Sequence, residues 1–220
     1  MNLDKVITFL NDYPRIFKPD DDKTAFYLGN CYVQLDDYAE AQRQFERSII
    51  AMFGPKKLWK DTGQVDWLVD ICVLSGRTDL FPDVLRELEL YKKIPSKGDS
   101  ALAYYVYGLM DLLYPSGWDI PISIKNLLKR PKWKLTYAIG QVLQSIIDGD
   151  LVALNSTLSN LLKVHDGMVK HGALRVTAEG LICMQAMSLT YAALKRDLIV
   201  EIENDYLPMG YLHFLLEKTT

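Results

Sequence analysis

The sequence predicts an all-α fold, an array of antiparallel helical hairpins with one short extended segment near the C-terminus. Three observations carry this. Apolar residues recur at helical spacing in nearly every stretch between breakers, as in Leu135, Ile139, Val142, Leu143 and Ile146. Between Ala25 and Ile50 two such stretches flank the turn Asp36-Asp37, with small residues placed where two helices cross. Asp148-Gly149-Asp150 separates another pair, whose second member carries Leu151, Leu154, Leu158, Leu161 and Leu162. A short turn between two apolar-striped helices leaves antiparallel packing as the way to bury both stripes.

The elements follow in order. Leu3, Val6, Ile7 and Leu10 form a short stripe that ends before Pro14. Asp20-Asp21-Asp22 offers capping oxygens and negative charge at the start of the next helix. That helix reads Ala25-x-x-Leu28-Gly29-x-x-Tyr32, and its partner Ala41-x-x-x-Phe45. Gly29 and Ala41 let the backbones approach, while Leu28, Tyr32 and Phe45 fill the space between. The hairpin resembles a tetratricopeptide repeat, with Ala25 in the place usually given to Trp and Ser48 where a small residue is wanted. Arrays of such hairpins usually serve as binding surfaces.

The partner helix runs from Tyr38 to about Phe53 and stops at Gly54-Pro55. A second hairpin, roughly Lys60–Leu74 and Leu80–Tyr91, turns at Ser75-Gly76-Arg77. A third unit begins near Asp99 with Ala103, Tyr104, Tyr107, Leu109, Leu112 and Leu113. It ends at Pro115-Ser116-Gly117, a soft boundary near 115–120 within what reads as one helical domain over residues 1–220. Ile122–Leu128 is a short amphipathic segment leading to Pro131. Glu179–Leu194 is apolar nearly all round, as a central buried helix is. Leu198-Ile199-Val200-Glu201-Ile202-Glu203 switches to alternation, the pattern of a short extended piece. Pro208 opens a last helix containing Met209, Leu212, Leu215 and Leu216.

With 220 residues, 49% of them hydrophobic, the chain can bury a sizeable core. Its net charge of -3 offers no whole-molecule attraction for nucleic acid, and none is expected as a partner. Cys31, Cys72 and Cys183 are too scattered for a disulfide framework or a zinc site and read as buried reduced thiols. The first residues lack a signal-peptide layout, and the longest uncharged runs fall short of the ~18–20 residues that span a bilayer. A cytoplasmic protein without membrane contact is the expectation.

No constellation for catalysis or for a cofactor stands out. There is no Gly-rich phosphate loop, Gly-x-Ser-x-Gly elbow or His-Glu-x-x-His helix. His165 and His171 are six residues apart, whereas two ligands on one helix face stand three or four apart. They read as a packed and an exposed residue, and His213 reads the same way. The carboxylate pairs Asp36/Asp37 and Asp148/Asp150 sit at turns, where acids usually cap helices. Lys125, Lys129, Arg130, Lys132 and Lys134 surround Trp133 and are the best argument for a nucleic-acid or phosphate contact. Cations at a helix end are expected from the dipole alone, so a solvated face is the preferred reading. The acid-rich stretch Asp197, Glu201, Glu203 and Asp205 is its counterpart.

The C-terminal third carries a resemblance. Tyr137-Ala138-Ile139-Gly140 precedes Ile147-Asp148-Gly149-Asp150 and a leucine-rich helix reaching Leu161-Leu162-x-x-His165. The apolar helix, Lys195-Arg196-Asp197-Leu198-x-Val200-x-Ile202 and Asp205-Tyr206-Leu207-Pro208 follow. This order, over roughly Tyr137–Leu212, resembles the immunity protein 49 family of bacterial polymorphic toxin systems. Asp197 stands where members often have a glycine, which puts the tight turn there in question. The resemblance implies a non-catalytic antidote that binds a co-encoded protein toxin in the cytoplasm and occludes its active site. It also implies that Tyr206 and Pro208 dock the last segment onto the core. The candidate partner contacts are the acids near the first hairpin, Asp20, Asp21, Asp22, Asp36, Asp37 and Glu40. Two other readings compete: a tetratricopeptide-like adaptor that holds a peptide or helix, which needs further clear repeats, and an enzyme, which finds no supporting residues.

Overall fold

The computed structural model describes residue 6 and residues 22–53, 65–90, 101–114, 119–172, 174 and 177–218. Among these residues the fold is all-α, with no strand. The helices are α1 (Asp22–Gln34), α2 (Tyr38–Phe53), α3 (Val65–Leu74), α4 (Phe81–Leu90) and α5 (Ala101–Leu113). Then come α6 (Ile120–Leu128), α7 (Lys134–Asp148), α8 (Leu151–His171), α9 (Met184–Leu194) and α10 (Met209–Lys218). Single 3-10 turns occupy Thr78–Leu80 and Ala178–Gly180. Successive helices pack as hairpins, most closely α1 with α2 and α7 with α8.

Gly29 makes the first hairpin possible. A Cβ there would stand 2.6 Å from Cε1 of Phe45, closer than any carbon contact allows. The phenyl ring therefore lies directly on the α1 backbone. Phe45 is fully buried and its ring centroid is 6.1 Å from Phe26 and 6.0 Å from Tyr211, so it ties α1 and α2 to α10. Phe26 continues the stack to Trp67 of α3 at 4.7 Å. Most of the buried apolar side chains from Phe26 to Leu215 form one continuous cluster.

Tyr211 is buried at the meeting of α2, α3 and α10, and its hydroxyl donates to the Leu74 carbonyl at the end of α3. Terminal helix carbonyls lack an intrahelical donor, so this bond satisfies a buried acceptor. Burial pushes the Tyr211 hydroxyl well above its usual pKa, which keeps it a donor. Replacing Tyr211 with Phe is expected to lower stability by about 1–2 kcal/mol, measured by urea unfolding, because that carbonyl loses its donor.

Four helix ends share one turn chemistry. After α1, α3, α7 and α9 the chain closes with paired backbone bonds, for example Leu198 N–H to Ala193 C=O and Asp197 N–H to Leu194 C=O. This closure needs a residue in the left-handed region. Gly76 (φ 74°) and Gly149 (φ 65°) supply it after α3 and α7. Asp36 (φ 58°) and Asp197 (φ 59°) supply it after α1 and α9. The turn at Asp197 thus forms without glycine, since aspartate tolerates this region better than most residues. Asp197→Gly is expected to raise stability by about 0.5–1 kcal/mol in the same unfolding assay, by relieving the Cβ strain.

The start signals also have concrete partners. Asp37 accepts from Glu40 N–H at 3.2 Å, Asp119 from Ile122 N–H at 3.0 Å, and Asp150 from Ala153 N–H at 2.9 Å. Aspartates at Ncap positions do this routinely. Pro208 stands immediately before α10 and its carbonyl accepts from Tyr211 N–H at 3.1 Å.

One expectation needs correction. The stretch Glu179–Leu194 is not one helix. A 3-10 turn ends at Gly180, and α9 starts only at Met184. The backbone between them is committed elsewhere: the Leu181 carbonyl accepts from Gln34 at 3.0 Å, and the Cys183 N–H donates to the Tyr206 carbonyl at 2.8 Å. The alternating segment 198–203 belongs to no helix or strand. Its sides do alternate, with Leu198, Val200 and Ile202 half-buried and Ile199, Glu201 and Glu203 exposed. No neighbouring strand pairs with it, and a side chain of α8 supplies its hydrogen bonds instead.

The readings for Leu3, Ile7, Leu10, Pro14, Asp20, Asp21, Gly54-Pro55, Lys60, Tyr91, Asp99 and the soft boundary at Pro115–Gly117 lie outside the described residues. Val6 is helical and buried against Cys31, Ala178 and Leu181. Cys31, Cys72 and Cys183 are unbonded and buried, and burial pushes the Cys31 and Cys183 thiols up to about 12. Among the described residues no helix is long and apolar enough to cross a membrane.

Candidate protein-docking surface

The turn at Asp197 sends the chain back along α8 as an acidic strap. Asn155 holds its upper end with both ends of its side-chain amide: Nδ2 donates to the Ile199 carbonyl at 3.4 Å, and Oδ1 accepts from Glu201 N–H at 2.8 Å. The lower end is held at Asp166, whose carboxylate accepts from the Tyr206 hydroxyl at 3.1 Å. The helix rise between Asn155 and Asp166 corresponds to about 16 Å. Two more bonds fix the lower end. Gln34 Nε2 donates to the Asp205 carbonyl at 2.8 Å, and the Asn204 side chain accepts from Tyr206 N–H at 2.9 Å.

Anchoring through backbone and half-buried Leu198, Val200 and Ile202 leaves the charged positions outward. Asp197, Glu201, Glu203 and Asp205 are all exposed. No lysine or arginine occurs between Arg196 and Lys218, so no cation of the strap itself offsets them. Asp166 adds a further carboxylate. Its hydrogen bond from Lys170, at 2.7 Å, is the main cause that holds its carboxyl below the usual range. Burial, and then the bond to Asp166, pushes the Tyr206 hydroxyl up to about 12, so it stays protonated and donating.

The two ends of the strap differ in kind. At the upper end Ile199 is 59% exposed beside Leu151 (40%) and Val152 (82%), which lie one turn before Asn155 on α8. Exposed Asp148 and Asp150 border this apolar patch. At the lower end a cleft of about 580 Å³ opens between strap, α8 and α1, lined by Gln34, Asp166, Leu181, Glu203, Asp205 and Tyr206. An apolar spot bordered by acids and an acidic recess together form a surface suited to a protein partner with basic and apolar groups.

The first-hairpin acids fall in three groups. Asp20 and Asp21 lie outside the described residues, and Asp22 is the first residue of α1. Asp36 and Asp37 are exposed and follow Gln34, which lines the cleft, by two and three residues. Asp36 accepts from the Tyr38 hydroxyl at 2.9 Å, while Asp37 caps α2. The Glu40 carboxylate is already engaged by Arg43 at 2.7 Å and Gln44 at 2.6 Å, and the Arg43 bond is the main cause that lowers its pKa. Glu203, Asp205 and Asp166 are the residues that sequence reasoning left out of the site. The cation-free run from Asp197 to Glu217 is the signal that points to two of them.

His165 is buried with its ring edge-on to Tyr206 at 4.9 Å, and His171 and His213 are exposed. Among the described residues no three His, Cys, Asp or Glu side chains are placed to hold a metal ion. Of the basic cluster, Lys134 lines a groove with Lys163, Gly167 and His171 of α8. Compared with known proteins, the chain matches no family model, no curated protein and no solved structure.

Proposed function

We propose that this chain is a non-catalytic protein-binding module that acts as an antidote in the cytoplasm, docking a cognate protein toxin and covering its active site. The observation that carries the reading is the strap. It presents Glu201, Glu203 and Asp205 outward from a backbone fastened at both ends, next to exposed Ile199 and Val152. A fastened backbone loses little conformational freedom on binding, so more of each contact appears as affinity. The acids steer a basic partner, and the apolar spot supplies an anchor that excludes water. The order of motifs from Tyr137 to Leu212 is what points to a toxin rather than another protein.

The test is co-expression of this chain with the protein encoded immediately upstream, scoring growth and co-purification. Rescue of growth with a one-to-one complex supports the antidote reading. A harmless neighbour that does not co-purify removes the toxin from the account. The adaptor reading then applies, with the cleft as the place for a basic peptide.

A further inference from the structure

We propose that the groove between α7 and α8 binds a segment of single-stranded nucleic acid. The groove has a volume of about 650 Å³, within the range of about 300–1,000 Å³ that encloses a small ligand. Lys134 of α7 and Lys163 and His171 of α8 stand along it, and Leu135, Val164 and Met168 form its floor. On α8 the groove residues Lys163, Gly167 and His171 follow one another at helical spacing. Gly167 and His171 lie about 100–160° round the helix from Asn155 and Asp166, which hold the strap, while Lys163 stands one turn from Asp166 on the edge between the two sides.

Positive charge continues beyond the groove. There is no Asp or Glu from Ile120 to Ile147, while Lys125, Lys129, Arg130, Lys132 and Lys134 all lie in that span and are exposed. Trp133 is 52% exposed, with the Arg130 guanidinium 4.7 Å from its ring centre. A flat aromatic–guanidinium pair beside a cation-lined groove is the arrangement on which bases stack while phosphates follow the cations. The apolar floor suits the face of a base and gives nothing to a carboxylate, which favours nucleic acid over an acidic peptide. The N-terminal end of α7 at Lys134 adds its positive dipole end to the same side.

The test is fluorescence anisotropy of labelled oligo(dT) and oligo(U), about 12 nucleotides long, titrated with the full chain between about 50 and 200 mM KCl. The expected result is binding that weakens with salt, with a log–log slope of about -2 for about three neutralised phosphates. The exposed double variant Lys134→Glu/Lys163→Glu should bind about tenfold more weakly or worse, and Trp133→Ala about fivefold more weakly. Unchanged thermal melting of both variants shows that folding is intact. Three outcomes overturn the proposal: no binding of either oligonucleotide at about 50 mM KCl, unchanged affinity in both variants, or equal binding of a polyglutamate peptide with the same loss in the double variant. The last outcome assigns the groove to an acidic protein segment.

Discussion

Phe45→Ala is expected to lower the unfolding free energy by about 3–5 kcal/mol. A domain of this kind is stable by about 5–15 kcal/mol in all, so the variant loses a large share of its stability. The reason is position as much as size. The ring is fully buried and touches Phe26, Tyr211 and the α1 backbone at Gly29, so α1 and α10 lose their common partner on α2 at once. Relaxation cannot close the gap without moving α1.

A second measurement separates this packing from a general loss of apolar area. Gly29→Ala alone drives a Cβ into the Phe45 ring and is expected to cost about 1–3 kcal/mol of overpacking, against about 1 kcal/mol gained in helix propensity. In the Phe45→Ala background the obstruction is gone, and the same substitution should be neutral or stabilising. Urea unfolding of the four proteins gives the coupling, expected at about 1–3 kcal/mol. Additive effects would show that Gly29 and Phe45 do not meet as described.

The second large effect concerns function. Glu203→Lys/Asp205→Lys is expected to weaken binding of the proposed toxin about 10- to 100-fold, or about 1.4–2.7 kcal/mol. Most of the loss should appear in the association rate, because the strap charges are exposed and act by steering. Stability should change by less than about 0.5 kcal/mol, as is usual for surface positions. Glu40→Ala is the control. Its carboxylate is already held by Arg43 and Gln44, so binding should stay within about twofold. Surface plasmon resonance at two salt concentrations reads both rates. Equal losses in the two variants would move the interface back to the first hairpin.

This contrast shows what the chain makes legible. The hairpin at Gly29 and Phe45 is readable because its packing is local: a missing side chain and a large one meet across a short turn. The turns after α3 and α7 are readable for the same reason, since Gly76 and Gly149 announce a left-handed residue. The turn at Asp197 is harder to read, because aspartate enters that region without advertising it. The start of α9 depends on partners remote in sequence. Gln34 and Tyr206 take the backbone groups of Leu181 and Cys183, and no periodicity in Glu179–Leu194 records this.

The docking surface follows the same rule. Asp36 and Asp37 stand out in the sequence because they sit at a recognisable turn. Glu203 and Asp205 become a surface only when Asn155, Asp166 and Gln34 fasten the strap to α8 and α1. Alternation along Leu198–Glu203 correctly separates the inward from the outward side chains. It does not tell what the segment pairs with: a helix side chain, Asn155, rather than a sheet neighbour supplies the hydrogen bonds.

The measurement that bears most directly on the antidote account is a calorimetric titration of the purified chain with a catalytically inactivated form of the protein encoded upstream. The account predicts a saturable one-to-one complex that the Glu203→Lys/Asp205→Lys variant weakens at least about tenfold and that higher salt weakens further. No heat of binding at micromolar concentrations, or a complex indifferent to both the strap charges and salt, would contradict it.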